Sequence, residues 1–301
     1  MLPVVSVICC AYNHGPYIRQ CLDGFMMQKT DFSFEVLIHD DASTDNTAEI
    51  IREYELKYPD TIFPIYATQN KYSKGIDIFS EILVPNARGK YIAICEGDDY
   101  WTDPLKLQKQ VVFLEDNADY VLSTHCYIRY LQSSEMLENV IMPLTLNEGI
   151  TYTLEDYISY TNWYTQPLTA LFRRQVLGSF GDYTSQKDAS LFYGILKSGK
   201  GYLCPEVMGV YRIQDGGVWS SASRQNRIIA DLYTLKGIYD AEKTKTAALY
   251  LYNFLYKTRY LGVKFYINKT PLYLDVLLIL LKEFKTSALK VFLRNINFLS
   301  R

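Results

Sequence analysis

The sequence predicts an α/β fold: a mostly parallel central sheet flanked by helices, followed by a helical C-terminal extension. Three observations predict it. Apolar runs at residues 4–10, 35–39, 62–67 and 91–95 alternate with segments whose apolar residues recur at helical spacing. The runs are nearly continuous in apolar residues, as strands buried on both faces are. Polar segments fall at the carboxyl ends of three of them, at 11–16, 40–45 and 96–99, where open α/β sheets place their ligands.

Each element follows from local signals. Asn13, Gly15 and Pro16 supply a turn after the first strand, and Ile18, Cys21, Leu22 and Phe25 then mark one helix face. The cluster Asp40-Asp41-Ala42-Ser43-Thr44-Asp45 suits a turn and a helix start. Ile51, Tyr54 and Tyr58 line that helix, and Pro59 stops it. Phe79, Ile82 and Leu83 suggest another helix. The fourth strand runs directly into Glu96-Gly97-Asp98-Asp99-Tyr100-Trp101. Asp103-Pro104 opens a helix over 106–115. Further strands are expected at 121–126, 168–172 and 207–212, and a helix over 188–197 that Gly199 ends. No linker composition interrupts the first part. Residues 1–225 therefore read as one catalytic unit, with halves at about 1–100 and 101–225, and residues 226–301 as a helical, basic extension.

Composition excludes several classes. Of 301 residues, 49% are apolar and 21% charged, which is a folded rather than a disordered chain. With 31 basic and 33 acidic residues the net charge of -2 excludes a wholly basic nucleic-acid coat. Six cysteines without a CxxC pair make neither a disulfide scaffold nor a structural zinc site. The first eleven residues carry no basic region of the kind that opens a secretory signal. The apolar run 276–281 is bounded by Asp275 and Lys282 and is too short to span a bilayer, so a cytoplasmic location is expected.

The candidate chemistry lies at the strand ends. Asp98 and Asp99 are adjacent carboxylates that repel each other unless a cation or donor offsets them, and Mg2+ or Mn2+ suits such oxygens. The alternative is capping before Pro104. Asp40 and Asp41 end another strand, where a carboxylate can accept from a base or ribose; the alternative is turn chemistry. His39 falls near these aspartates, and His14 is either a phosphate contact or an ordinary polar loop residue. No GxGxxG, Walker lysine or GxSxG motif occurs, so dinucleotide, P-loop and serine-hydrolase readings lose their signatures.

Together these segments resemble the family 2 glycosyltransferases with the GT-A nucleotide-diphospho-sugar transferase fold. The match runs from Val4-Ser6-Val7-Ile8 and Ala11-Tyr12-Asn13, through the Asp40–Asp45 cluster and Glu96-Gly97-Asp98-Asp99-Tyr100-Trp101, to the Asp188 region and Val210-Tyr211-Arg212 with Gly216-Gly217. It covers about residues 3–220, and the Tyr100-Trp101 ending of the third segment with the Tyr211-Arg212 and Gly216-Gly217 stretch suggests the bacterial surface-polysaccharide branch. The resemblance implies an inverting transferase, hexosyl or N-acetylhexosaminyl, that moves a sugar from a nucleotide-diphosphate donor, commonly a UDP-sugar, to a saccharide or lipid-linked saccharide. It implies that Ala11 and Tyr12 line the nucleotide pocket, Asp40 binds the base and Asp41 shapes the loop. Asp98 would face ribose or the metal shell, Asp99 would ligate Mn2+ or Mg2+, and Asp188 would be the general base. One position departs from the pattern: a histidine is common shortly after the Tyr-Arg pair, and here Gln214 stands there.

Two other classes compete. A nucleotidyltransferase uses a similar sheet, but its Gly-rich basic loop is missing from residues 11–16. A non-catalytic sugar- or nucleotide-binding protein would have no need of Asp98, Asp99 and Asp188 together. The extension adds an expectation of its own. Residues 241–301 hold 11 basic and 3 acidic residues. Leu249, Tyr250, Tyr252, Phe254, Leu255 and Tyr256 stand beside Lys257 and Arg259, and residues 277–281, Leu289, Val291 and Phe292 lie near Lys282, Lys285, Lys290 and Arg294. Such a segment can lie peripherally on the inner face of the membrane. The alternative is packing on the chain itself or in a homodimer.

Overall fold

The computed structural model describes residues 2–138, 148–160, 165–179, 188–214, 217, 222–260 and 270–284. Gly216, residues 139–147 and 161–164, and Leu289, Val291, Phe292, Lys285, Lys290 and Arg294 of the extension lie outside them.

The four apolar runs form strands β1 (Val5–Ala11), β2 (Phe34–Asp40), β3 (Ile62–Tyr66) and β4 (Tyr91–Ile94). They pair in parallel in the order β3-β2-β1-β4. Register matters for function: Ala11 lies opposite Asp40, so the ends of β1 and β2 finish side by side. The two-residue period of a strand puts Val5, Val7, Cys9 and Ala11 on one face. There they join Ile18, Cys21, Leu22 and Phe25 of helix α1 (Ile18–Met26) and Ile50, Ile51 and Tyr54 of helix α2 (Thr47–Lys57) in one core cluster. At the start of α2, Asp45 Oδ1 accepts from Thr47 N–H at 2.9 Å, satisfying an amide that the helix cannot.

Beyond β4 the sheet becomes mixed. The later elements are β5 (Tyr100–Trp101), α3 (Lys106–Asp116), β6 (Tyr120–Leu131), β7 (Met136–Glu138), β8 (Ile150–Tyr152), helix α4 (Leu154–Tyr160), β9 (Leu171–Arg173), helix α5 (Asp188–Leu196) and β10 (Lys200–Ile213). The order continues β4-β9-β6-β10-β5. β9 is antiparallel to both β4 and β6, β10 is parallel to β6, and β5 is antiparallel to β10.

Three local expectations change. The strand expected at 168–172 is a 3-10 turn at Pro167–Thr169 followed by β9, because Pro167 cannot donate to a ladder. The helix expected around Phe79 is a π-helix, Ile78–Leu83, that passes into a single turn holding Pro85. The strand expected at 207–212 begins seven residues earlier, at Lys200.

The chain divides into two compact units. The first comprises Met1–Thr153, Tyr164–Ser179 and Ile195–Asp215 and holds the whole sheet. The second comprises Leu154–Trp163, Phe180–Gly194 and Gly216–Arg301. Its three last described helices are α6 (Arg224–Glu242), α7 (Lys245–Tyr260) and α8 (Thr270–Phe284). Within it Tyr250 stacks on Tyr193 with centroids 5.9 Å apart, and Asn253 Nδ2 donates to Ile158 O at 3.0 Å. Tyr250 and Leu255, two members of the stripe considered for a membrane, are buried here, whereas Tyr256 and Leu278 are exposed. Among the described residues no helix is long and apolar enough to cross a membrane.

Candidate active site

The three polar segments meet at the carboxyl ends of β1, β2 and β4. Asn13 and Ala42 both take left-handed backbone conformations, φ 54° and 60°, which turn the chain sharply away from the strands. The first two loops are then stitched together. Asn13 N–H donates to Ser43 Oγ at 2.9 Å, Thr44 N–H to Asn13 Oδ1 at 2.8 Å, and Gly15 N–H to Asp45 Oδ2 at 2.9 Å. Gly97 N–H donates to Cys10 O at 3.0 Å and brings in the third segment. The approach at Gly97 is close: a Cβ there would lie 2.8 Å from His14 Nδ1 and 2.9 Å from Ile18 Cδ1.

The paired aspartates of β2 are placed differently. Asp41 is buried, and its carboxylate is occupied: Oδ1 accepts from Lys71 N–H at 2.6 Å and Oδ2 from Tyr72 N–H at 3.1 Å, with His39 Nε2 3.2 Å from Oδ1. It pins the loop that follows β3. Asp40 is also buried, but among the described residues only Oδ2 has a partner, Ser43 N–H at 3.4 Å, and Oδ1 has none. A buried carboxylate oxygen without a donor is costly, and a ligand N–H would satisfy it. Ala11 is buried beside it at the end of β1, and Tyr12 is 42% exposed.

The second acidic group consists of Glu96, Asp98 and Asp99, whose ligand oxygens lie within 4.8 Å of one another. Glu96 is exposed, Asp98 half-buried and Asp99 buried. Asp99 Oδ1 accepts from the main-chain N–H of Arg212 at 2.8 Å. Burial pushes the Asp99 carboxyl well above its ordinary range, and the charges of Asp98 and Glu96 add to that, while Arg212 opposes it. Asp98 Oδ2 accepts from Gln214 Nε2 at 2.7 Å, and His14 Nε2 is 3.9 Å from the same oxygen. Burial lowers the pKa of His14 against the pull of Asp98, Asp45 and Asp40. Three crowded carboxylates, one of them buried, form a hard-oxygen donor set that fits Mg2+ or Mn2+, and a cation would relieve their repulsion.

The segment carrying these groups is anchored from behind. Trp101 Nε1 donates to Leu168 O at 2.8 Å, its ring meets Phe25 edge-on at 4.8 Å, and Lys106 Nζ lies 4.1 Å from its centroid. Gly24 lets α1 press against it, since a Cβ there would lie 3.0 Å from Trp101 N and O.

Asp40, Asp41, Ala11, Tyr12, Asp98 and Asp99 thus share one unit and its strand ends. Asp188 belongs to the second unit, where it is the exposed first residue of α5. Gln214, at the departing position, holds Asp98 with a neutral amide. The sequence reading does not single out Glu96 as a ligand; its spacing from Asp98 across Gly97 is the signal that could have found it. Arg212 stands in the matched Tyr211-Arg212 segment without an expected role, and the pairing of β10 with β5 brings it to Asp99.

Residues 6–181 match the family described as Glycosyl transferase family 2. The chain is 36% identical over 226 residues to an uncharacterized protein of Mycobacterium tuberculosis, Rv1520, covering 74% of this chain and 62% of that protein. It therefore spans about three fifths of the length of the first curated relatives it matches. It is 28% identical over 239 residues to WfaP of Escherichia coli, named UDP-Glc:alpha-D-GlcNAc-diphosphoundecaprenol beta-1,3-glucosyltransferase, covering 79% of this chain and 87% of WfaP. Its fold is similar to that of Staphylococcus aureus TarS, solved in complex with UDP-GlcNAc. The TM-score is 0.66 at 19% identity, covering 91% of this chain and 79% of that one.

Proposed function

Because the chain belongs to glycosyl transferase family 2 and has the GT-A fold, we propose that it is an inverting transferase that moves a sugar from a UDP-sugar to a saccharide or lipid-linked saccharide acceptor. The observation that carries this reading is the pairing of two unlike acidic sites at the ends of the strands on either side of β1: Asp40 after β2, with a buried oxygen that has no partner among the described residues, and the Glu96, Asp98 and Asp99 cluster after β4.

The chemistry follows from the charges. Asp40 accepts a hydrogen bond from a base N–H, and Ala11 and Tyr12 line the nucleotide. Asp98, with Glu96 and Asp99, holds a divalent cation. Bound there, Mg2+ or Mn2+ supplies Lewis-acid stabilisation to the diphosphate leaving group. The order of exposure favours Glu96 and Asp98 as the ligands open to solvent, with Asp99 supporting them from its bond to Arg212. The acceptor hydroxyl attacks the anomeric carbon from the face opposite the diphosphate. A new C–O bond forms, the bond to phosphate oxygen breaks, and UDP departs with the bonding pair. Asp188 takes the hydroxyl proton as general base. One displacement inverts the anomeric centre.

WfaP, by its name, acts on a sugar linked to diphosphoundecaprenol. That supports an acceptor of the same chemical class here, a role in surface-polysaccharide assembly, and a use for the basic extension at the inner membrane face. Transfer of a hexosyl or N-acetylhexosaminyl group fits equally. Calorimetry of UDP with Mn2+ and with EDTA, followed by nucleotide release from a panel of UDP-sugars, tests the reading. Mn2+-dependent UDP binding and release from one or two donors is expected. No UDP binding and no release from any donor would overturn it.

A further inference from the structure

Arg212 stands out among the charged residues of the sheet. Its side chain is buried, yet its hydrogen-bond acceptors among the described residues are a main-chain carbonyl and two side-chain amides. Nε donates to Asp98 O at 2.8 Å, one terminal nitrogen to Gln132 Oε1 at 2.7 Å and the other to Gln20 Oε1 at 2.6 Å. The guanidinium carbon lies 4.8 Å from the ring centroid of Tyr17 and 5.4 Å from those of Tyr100 and Tyr130. Burying a guanidinium is costly, and three aromatic faces with three hydrogen bonds offset that cost only in a defined geometry.

The same residue holds both aspartates. Its guanidinium grips the main chain of Asp98, and its own main-chain N–H grips the carboxylate of Asp99. Tyr100, in its ring cage, is the residue that follows Asp99. Gln20 belongs to α1, Gln132 follows β6, and Arg212 itself lies on β10. One side chain therefore ties three separate elements to the turn that carries the acidic cluster.

We infer that Arg212 is a positioning residue: it sets the spacing of Asp98 and Asp99 for the divalent cation through the aromatic-caged bond to Asp98 O and the main-chain bond to Asp99. The inference rests on the proposed metal-dependent transferase. It makes a prediction that charge alone reverses. Removing a positive charge beside three carboxylates should tighten cation binding if Arg212 acts only as a charge. Removing a positioning group should weaken it.

The test is direct Mn2+ binding to the full chain, read as free Mn2+ by electron paramagnetic resonance, with UDP present. Wild type, Arg212→Met, Arg212→Lys and the double variant Gln20→Leu/Gln132→Leu are compared, with thermal melts and UDP affinity in EDTA measured alongside. Arg212→Met and Arg212→Lys are expected to bind Mn2+ at least tenfold more weakly, while their UDP affinity in EDTA stays within twofold of wild type. The double variant keeps the charge and the tyrosine cage and is expected to lose about threefold; it carries the test should the Arg212 variants fail to fold. Wild-type affinity in Arg212→Lys, tighter binding in Arg212→Met, or no change in the double variant would overturn the inference. Failure of the wild type itself to bind Mn2+ with UDP would instead overturn the transferase reading on which it rests.

Discussion

The main-chain N–H of Arg212 donates to Oδ1 of Asp99 at 2.8 Å, joining residues 113 positions apart. The bond is supplied by backbone, so no substitution at 212 other than proline removes it. It gives Asp99 a structural duty beside any catalytic one. Asp98, half-buried beside it, is the better place to separate chemistry from folding.

Asp98→Ala is expected to lower turnover by at least about 10²-fold with little change in the thermal midpoint, and EDTA is expected to abolish wild-type transfer that Mn2+ restores. Asp99→Ala is expected to lose stability as well, about 1–3 kcal/mol, because Arg212 N–H is left buried without an acceptor. A steady-state assay with parallel melts checks both. Full activity of Asp98→Ala in chelator would refute the metal role.

Asp188→Asn keeps a polar side chain of nearly the same shape at the first residue of α5 but removes the proposed base. Turnover should fall by roughly 10²- to 10⁴-fold while UDP affinity is nearly unchanged. Near-normal turnover would refute the assignment, and a variant that loses only its fold would identify Asp188 as a structural residue of the first turn of α5.

Ala42 carries a Cβ at φ 60°, where an L side chain crowds its own backbone. Ala42→Gly relieves that crowding but also loosens the unfolded chain. The net expectation is a gain of roughly 0.5–1 kcal/mol, visible as a higher urea midpoint. A lower midpoint would mean that the loop tolerates the Cβ without strain.

Lys106 is fully buried, with Nζ 2.7 Å from Gln110 Oε1. Burial lowers its pKa from an ordinary 10.5 to about 7. Between these values the unfolded chain binds more protons than the folded one, so this group makes stability rise with pH. The slope approaches about 1.4 kcal/mol per pH unit in mid-window, and below pH 7 the full penalty is present. Lys106→Met removes the penalty and the slope. The stability difference between variant and wild type, from urea melts at pH 7.5 and pH 9, should shift in favour of wild type as pH rises. A pH-independent difference would show that Lys106 stays charged in the fold.

Much of the first hundred residues was legible in the sequence. The strands around Val7, Val36 and Ile92 are buried on both faces, so their apolar runs are nearly continuous, and the aspartates stand out as polar residues where such runs stop. The amino-terminal part of β10 was not legible. Its pairing with β6 shifts register between Cys204 and Val207 and again between Val207 and Gly209, and although burial alternates over Lys200–Cys204, Gly201 stands on the buried side and Tyr202 and Cys204 on the more open one, so residue type does not follow that alternation. Pro167 likewise turned an expected strand into a 3-10 turn. The helical stripe at Tyr250 and Leu255 was visible as apolar, but a stripe does not say which surface it meets; in the structure both residues are buried, and Tyr250 stacks on Tyr193 within the second unit.

The sequence by itself determined the fold class, the order of the elements and the residue types at the strand ends, because each follows from local periodicity and turn chemistry. Tertiary structure alone decided which carboxylates stay open. Asp40 and Asp41 are chemically identical neighbours, yet the loop at Lys71 and Tyr72 occupies one and leaves an oxygen of the other unpartnered. Asp98 and Asp99 are separated in the same way by Gln214 and Arg212, more than a hundred residues away. Burial and hydrogen-bond partners are properties of the packed chain, and they assign different work to residues that the sequence leaves equivalent.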